Sequence, residues 1–328
     1  MGLRQVGKNI ARMSVLLVLV SIAAFFLVTV SPLDPLRTNV GQAALGSMSQ
    51  EQIAQLEEYW GVNTPPVKRY VSWAADFLRG DMGTSLLYRQ PVSKIIGEKL
   101  ANSLWLMASA WLVSGAVGFV LGVAAGARKG GLTDKLISAY ALLTASIPAF
   151  WLALVLLMIF AVWLKVLPIG LSVPIGMEAS AVTLGDRLVH GILPVAALSI
   201  TGISNIALHT REKMAEVMES DYVLFARARG ESKWSVLKRH GFRNIMLPAV
   251  TMQFGSFSEL FGGSVLAENV FSYPGLGAAA SAAGMASDVP LLLGITLFSA
   301  LFVFIGNMLA NMIYGIVDPQ IREGYRNE

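Results

Sequence analysis

The chain has 328 residues, of which 55% are hydrophobic and only 14% charged, and its mean hydropathy is +0.60; an average soluble domain carries roughly 25% charge. That balance argues against a cytosolic enzyme. High apolar content without cysteine or a glycine triplet period also excludes disorder, a collagen helix, a disulfide scaffold, thiolate metal sites and cysteine nucleophiles.

Six apolar runs are long enough, at about 18 residues or more, to cross a hydrocarbon core of roughly 30 Å. They cover 12–30, 101–126, 136–164, 190–208, 247–269 and 290–317. All are expected to be helices, because backbone in lipid must satisfy its own hydrogen bonds. The first run follows Arg4, Lys8 and Arg12, as in a signal peptide, but no small-x-small cleavage site follows it, so it reads as an uncleaved span. Lys and Arg concentrate on one set of loops: 16 of the 25 lie before span one, after span two, between Arg211 and Arg243, and at Arg322 and Arg326. The positive-inside rule then makes both termini cytoplasmic.

Between the spans lie two soluble excursions. The first, 31–100, is expected outside the cytoplasm and carries seven acids against seven bases. A capping box at Ser49 and Gln52 opens a helix that runs to Trp60 and stops at Gly61. A second amphipathic helix places Val67, Tyr70, Val71, Ala74, Phe77 and Leu78 on one face before Gly80 ends it. Gly118, Gly122 and Gly126, on one face of the second span, have the spacing of close helix packing, while Pro148 and Pro194 are expected to kink spans three and four.

The second excursion, 209–246, is the most polar stretch. Asp221, Tyr222, Phe225, Ala226, Arg227, Ala228, Arg229, Gly230 and Glu231 read as two short helices broken at Gly230, with small residues ringed by cations. Such a surface suits a protein partner, or a loop drawn to anionic lipid. In span five, Glu259 stands near the centre with Gln253, Ser256 and Ser258 close in sequence. It suits a cationic substrate group, a protonated carboxyl bonded between helices, or an ion pair with a partner. Glu268 and Asn269 lead into a turn through Pro274 and Gly275 that reads as an outer gate or a plain loop.

No Walker A loop, Gly-x-Ser-x-Gly elbow or His-Glu-x-x-His pair occurs, and His190, His209 and His240 are scattered. No catalytic residue, metal site or nucleic-acid contact is expected.

With the 221–231 loop, four further stretches resemble the membrane subunits of binding-protein-dependent ABC importers of the dipeptide, oligopeptide and nickel permease family. They are Arg79-Gly80-Asp81-Met82-Gly83-Thr84-Ser85 with Pro91-Val92, Ser146 to Leu152, Glu268 to Gly277, and Asp318-Pro319-Gln320-Ile321-Arg322. The family's coupling segment reads Glu-Ala-Ala-x3-Gly-x9-Ile-x-Leu-Pro. Aligned on Gly230, this chain has Leu224, Phe225 and Ala226 at the first three positions and His240, Phe242 and Arg243 for Ile, Leu and Pro.

The resemblance implies an all-α inner-membrane permease with six transmembrane helices, made of 1–30, an extracytoplasmic helical cap 31–100, a core 101–317 containing the coupling loop 209–246, and a tail 318–328. It implies a transport subunit and no enzyme: half of a pore for peptides, with nickel or a metal chelate as the alternative cargo. ATP and Mg would be bound by two partner ATP-binding subunits, with no cofactor on this chain. A second, different permease, a solute-binding protein and the lipid bilayer complete the expected partners. A secondary transporter or channel would show more intramembrane charges, and an intramembrane enzyme would need a catalytic dyad.

Overall fold

The computed structural model describes residues 3–30, 40, 42–59, 64–174 and 182–317. The described residues are helical, apart from connecting loops and one isolated bridge between Thr84 and Pro91. The helices are α1 (Leu3–Val30), α2 (Gln42–Ser47), α3 (Gln50–Tyr59), α4 (Pro66–Leu78), α5 (Val92–Gly126), α6 (Leu132–Ala145), α7 (Ala149–Leu156), α8 (Leu184–Met218), α9 (Asp221–Ala228), α10 (Lys233–Val236), α11 (Phe242–Gly255), α12 (Phe257–Val270), α13 (Leu276–Met285) and α14 (Val289–Val317).

Among the described residues, four single helices are long and apolar enough to cross a membrane: α1, α5, α8 and α14. Helix α6 and the arm Ala149–Trp163, in which α7 runs on as a π-helix over Leu157–Trp163, make a fifth segment if taken as one span, bent by 104° between Ala145 and Ala149. Pro148 causes the bend: it has no amide to continue the ladder, and it disfavours helical backbone at the residue before it. Pro194, by contrast, sits inside α8 without ending it.

The run at 247–269 departs from a single continuous span. Ser256 separates α11 from α12, each of 14 residues, or about 21 Å. Gly255 is a weak helix former, and the Ser256 hydroxyl donates to the Gln253 carbonyl at 2.9 Å, so side chain competes with ladder at the junction. The stop expected at Trp60 and Gly61 and the closing stretch from Asp318 to Arg322 lie outside the described residues.

The chain divides into two compact units, Met1–Asn102 with Pro274–Phe304, and Ser103–Tyr273 with Ile305–Glu328. In the first, Ser49 and Gln52 form the expected reciprocal cap of α3: Gln52 N–H donates to Ser49 Oγ at 3.2 Å, and Ser49 N–H to Gln52 Oε1 at 2.9 Å. Gly80, at φ +91°, closes α4 in a left-handed conformation that suits glycine. Gly294 of α14 packs where a Cβ would lie 2.7 Å from Val92 Cγ1 of α5.

In the second unit α8 is the axis, packed by α6, α7, α11 and α12. The α5 glycines make the approach their spacing implied. A Cβ at Gly118 would lie 2.9 Å from the Ile203 carbonyl, one at Gly122 2.5 Å from Thr210 Cβ, and one at Gly126 2.5 Å from the Arg211 carbonyl. Backbone therefore meets backbone along this seam, which drives helix association where no water is available to supply a hydrophobic force.

Candidate functional site

After α8 ends at Met218, the chain turns through Glu219 and Ser220 into α9, an elbow built on its own small core. Val223 and Ala226 of α9 and Val236 of α10 are buried together, with Val217 and Met218 of α8 packed against them. The elbow is thereby fastened to the last turn of α8. A second cluster, Val123, Met214 and Ile245, ties α5, α8 and α11 together just beneath it, with Phe119 and Phe242 on its margin.

α9 ends at Gly230, whose φ of +84° continues the turn without Cβ strain. Glu231 N–H donates to the Ala226 carbonyl at 3.1 Å and Gly230 N–H to the Arg227 carbonyl at 3.0 Å, a Schellman closure that satisfies two orphan carbonyls. The break expected at Gly230 thus has a defined geometry.

The elbow shows its solvent side through Asp221, Leu224, Phe225, Arg227, Ala228, Arg229 and Gly230, all exposed. Leu224 and Phe225 are 68% and 66% exposed, large apolar side chains flanked by two guanidinium groups. Fold-stabilising packing does not account for them, whereas a partner surface would. Ala226, one of the small residues read as part of that surface, is instead buried in the elbow core, and its small size serves packing there. Glu231 is turned back onto α10: its Oε2 accepts from Ser235 at 3.1 Å and its Oε1 lies 3.8 Å from Arg239. The Tyr222 hydroxyl accepts from Asn244 Nδ2 at 3.1 Å, which braces α9 against α11.

The residues set out as a substrate pathway are only partly brought together. Gln253 is buried and exchanges bonds with Trp111: its Nε2 donates to the Trp111 carbonyl at 2.6 Å, and Trp111 Nε1 donates to the Gln253 carbonyl at 2.9 Å. Gly115 gives that amide room, since a Cβ there would lie 2.9 Å away. Ser256 joins the same carbonyl. Glu259 lies in the first turn of α12, just past the junction at Ser256, and it is exposed.

Of the gate residues, Glu268 is 0% exposed and accepts from Ser103 Oγ at 2.7 Å, while its own carbonyl accepts from Tyr273 N–H at 2.8 Å. Asn269 is exposed and donates to the Val265 carbonyl at 2.7 Å. The Pro274 carbonyl accepts from Asn102 at 3.1 Å, and Gly275 takes the N-cap position of α13. Gly170 packs directly on the Phe271 carbonyl, which leaves no room for a Cβ, and Leu171 N–H donates to that carbonyl at 3.0 Å.

Two buried carboxylates went unmarked in the sequence. Asp134, in the first turn of α6, takes a bidentate pair from Arg211 of α8, whose Nη2 lies 2.8 Å from Oδ2; Nε bonds the other oxygen, and Gly130 N–H donates to Oδ2 at 2.8 Å. Asp288 accepts from Ser85 Oγ at 2.5 Å and Leu87 N–H at 3.0 Å, and it caps α14 through Leu291 N–H at 3.2 Å. Burial, and then the Asp288 carboxylate, raise the Tyr88 phenol above its ordinary range. The signal available for Asp288 was its N-cap position immediately before α14; for Asp134 only the tertiary contact identifies it.

The pattern of the family described as "Binding-protein-dependent transport system inner membrane component" matches residues 118–323, which include the elbow, the α5 glycine seam and the buried carboxylates Asp134, Glu268 and Asp288. The chain is similar to the "Oligopeptide transport system permease protein AppB" of Bacillus subtilis (strain 168), at 32% identity over 92% of this chain and 94% of that protein. It is similar to the "Putative peptide transport system permease protein" of Brucella abortus (strain 2308), at 34% identity over 96% of this chain and 98% of that protein. The "Probable peptide ABC transporter permease protein y4tP" of Sinorhizobium fredii is 32% identical over 98% of both chains. A multi-pass set of apolar helices, an elbow fixed to the end of the central helix, and a family match over most of the chain therefore converge: this chain belongs to the inner-membrane components of binding-protein-dependent transport systems.

Proposed function

We propose that the chain is the permease subunit of an ATP-driven peptide importer and forms half of its pore. The observation that carries this reading is the likeness, along nearly the whole chain, to proteins named as peptide and oligopeptide permeases. Six crossings complete the bundle when α11 and α12 are taken together as one broken span, with both termini and the elbow in the cytoplasm. Residues 31–100 then form the extracytoplasmic cap and 318–328 a cytoplasmic tail.

A pore that makes no ATP-derived work of its own responds only to something that binds its two states unequally. The elbow meets that need. Leu224 and Phe225 supply apolar area, Arg227 and Arg229 supply charge register, and Gly230 closes the turn; one of two partner ATPase subunits, which hold ATP and Mg, is the occupant of that surface. A second, non-identical permease and a solute-binding protein complete the assembly. Glu268, Asn269, Pro274 and Gly275 form part of the outer closure, and Gln253, Ser256 and Glu259 contribute to the pathway through the junction between α11 and α12.

The test is uptake of labelled peptides into vesicles holding the assembled transporter, with its binding protein on one side and ATP on the other. Uptake is expected to need both. Gly230→Trp is expected to abolish it while the chain still reaches the membrane; normal uptake by that variant removes the coupling assignment.

A further inference from the structure

The helix α4 lies in the first excursion, yet its contacts are to α1. Tyr70 Oη and Ser21 Oγ are 2.8 Å apart, the Tyr70 and Phe25 rings meet edge-on at 5.3 Å, and Arg69 Nη2 donates to Thr29 Oγ1 at 3.0 Å with its guanidinium 5.2 Å over the Phe25 ring. Ser21 is well inside α1. At about 1.5 Å per residue it lies about 13 Å along the helix from Val30. Tyr70 could not reach that depth from a domain standing clear of the membrane, so α4 lies alongside the last third of the span.

Around α4, side chains sort into three sectors at about 100° per residue. Tyr70, Trp73 and Phe77 form an aromatic row, stacked in sequence at 6.1 Å and 5.3 Å. Lys68, Ser72 and Asp76 form an exposed polar row. Between them on the remaining side stand Val67, Val71 and Leu78, which are 63%, 59% and 86% exposed. The face expected to be single is thus divided: Tyr70 and Phe77 turn to the protein, while Val67, Val71 and Leu78 turn away from it. The end of α1 also presents apolar side chains outward, Leu27 and Val30 among them.

We propose that α4 is an interfacial helix, with Val67, Val71 and Leu78 seated among lipid acyl chains beside α1 and Lys68, Ser72 and Asp76 in the headgroup and water layer. A helix with one apolar, one polar and one protein-facing sector matches the boundary where bilayer, water and protein meet. Only 11% of the α1 span is buried, so α4 packs beside a helix that itself faces lipid. Arg69 extends its head towards Thr29 near the end of the span, as a snorkelling cation does. The first excursion would then grip the bilayer as well as cap the pore, whatever solute is carried.

The chain's lack of cysteine gives a direct test. Single cysteines at Val71, Leu78, Ser72 and Asp76 of the full chain are spin-labelled in phosphatidylethanolamine and phosphatidylglycerol bilayers, with the partner subunits present and their cysteines removed. Collision with oxygen, which concentrates in lipid, is compared with collision with nickel-EDTA-diacetate, which stays in water. Labels at Val71 and Leu78 are expected to favour oxygen several-fold, and labels at Ser72 and Asp76 to favour the nickel reagent. Equal nickel accessibility at all four positions overturns the proposal in favour of a water-facing cap. Shielding of Val71 and Leu78 from both reagents overturns it in favour of a protein partner on that face.

Discussion

Asp134 and Arg211 hold each other across two helices: the buried carboxylate in the first turn of α6 takes the Nε–Nη2 edge of a guanidinium near the end of α8. The two members differ in surroundings, since Arg211 keeps 30% of its side chain exposed and Asp134 only 4%. That asymmetry makes the pair testable. Arg211→Ala strands a buried carboxylate and is expected to cost about 3–5 kcal/mol. Asp134→Ala leaves a guanidinium that water can reach and is expected to cost less, about 1–3 kcal/mol. Unfolding midpoints of the two variants in detergent check the order; a larger loss for Asp134→Ala contradicts it.

Two glycines of one helix are expected to respond oppositely to alanine. At Gly97 a Cβ meets nothing within 4 Å, so Gly97→Ala should stabilise α5 by up to about 1 kcal/mol through helix propensity. At Gly122 a Cβ would collide with Thr210 and the Ala207 carbonyl, and Gly122→Ala should destabilise by about 1–3 kcal/mol. Thermal unfolding of both variants in the same detergent reads the contrast.

Phe225 and Val223 are two residues apart on α9 and face opposite ways. Phe225→Glu is expected to leave expression and unfolding temperature unchanged while removing most ATP-dependent uptake and co-purification of the ATPase subunits. Val223→Asp is expected to lower the unfolding temperature, because it puts a charge into the elbow core.

Asp288 holds the hairpin around Thr84 and Pro91 through Ser85 and Leu87. Asp288→Ala is expected to loosen the loop that carries the already exposed Arg89 and speed tryptic cleavage there several-fold, with Ser85→Ala giving a smaller effect since Leu87 N–H would still find the carboxylate. Time courses of limited proteolysis on the two variants separate them.

Glu268→Ala is expected to destabilise the chain by about 1–3 kcal/mol, since the Ser103 hydroxyl loses its acceptor in a buried place. Glu259→Ala, on an exposed first turn, is expected to change stability by less than about 0.5 kcal/mol. Paired unfolding measurements check this, and uptake by Glu259→Gln shows separately whether that carboxyl meets the transported solute.

Much of the architecture was legible because bilayer physics writes itself into long apolar runs. The four uninterrupted spans, the cap of α3, the stop at Gly80, the glycine seam of α5 and the break at Gly230 all follow from local pattern or turn chemistry. The run at 247–269 misled because hydropathy averages across residues, whereas a single serine hydroxyl beside Gly255 interrupts a ladder. Glu259 was read at the middle of that run, but the junction beside it and its exposure were not readable there. Asp134 is paired with Arg211 from 77 positions away and Asp288 with Ser85 from 203 away, separations at which one sequence carries no signal. The elbow was found as a segment, but which of its side chains face out was not readable: Ala226 and Phe225 are neighbours in sequence and opposite in exposure.

The fastening of α9 and α10 onto Val217 and Met218 has a mechanical consequence. α8 is 35 residues long, about 50 Å at 1.5 Å per residue, and its terminal attachment is stiff where the elbow meets it. A push of a few ångströms at Phe225 therefore reaches the bundle as torque, tilting a long rigid rod by several degrees instead of flexing a loop. Pro194, one-third of the way along from the far end, omits one rung of the rod's backbone ladder, and that is where such a tilt would most easily be converted into a bend.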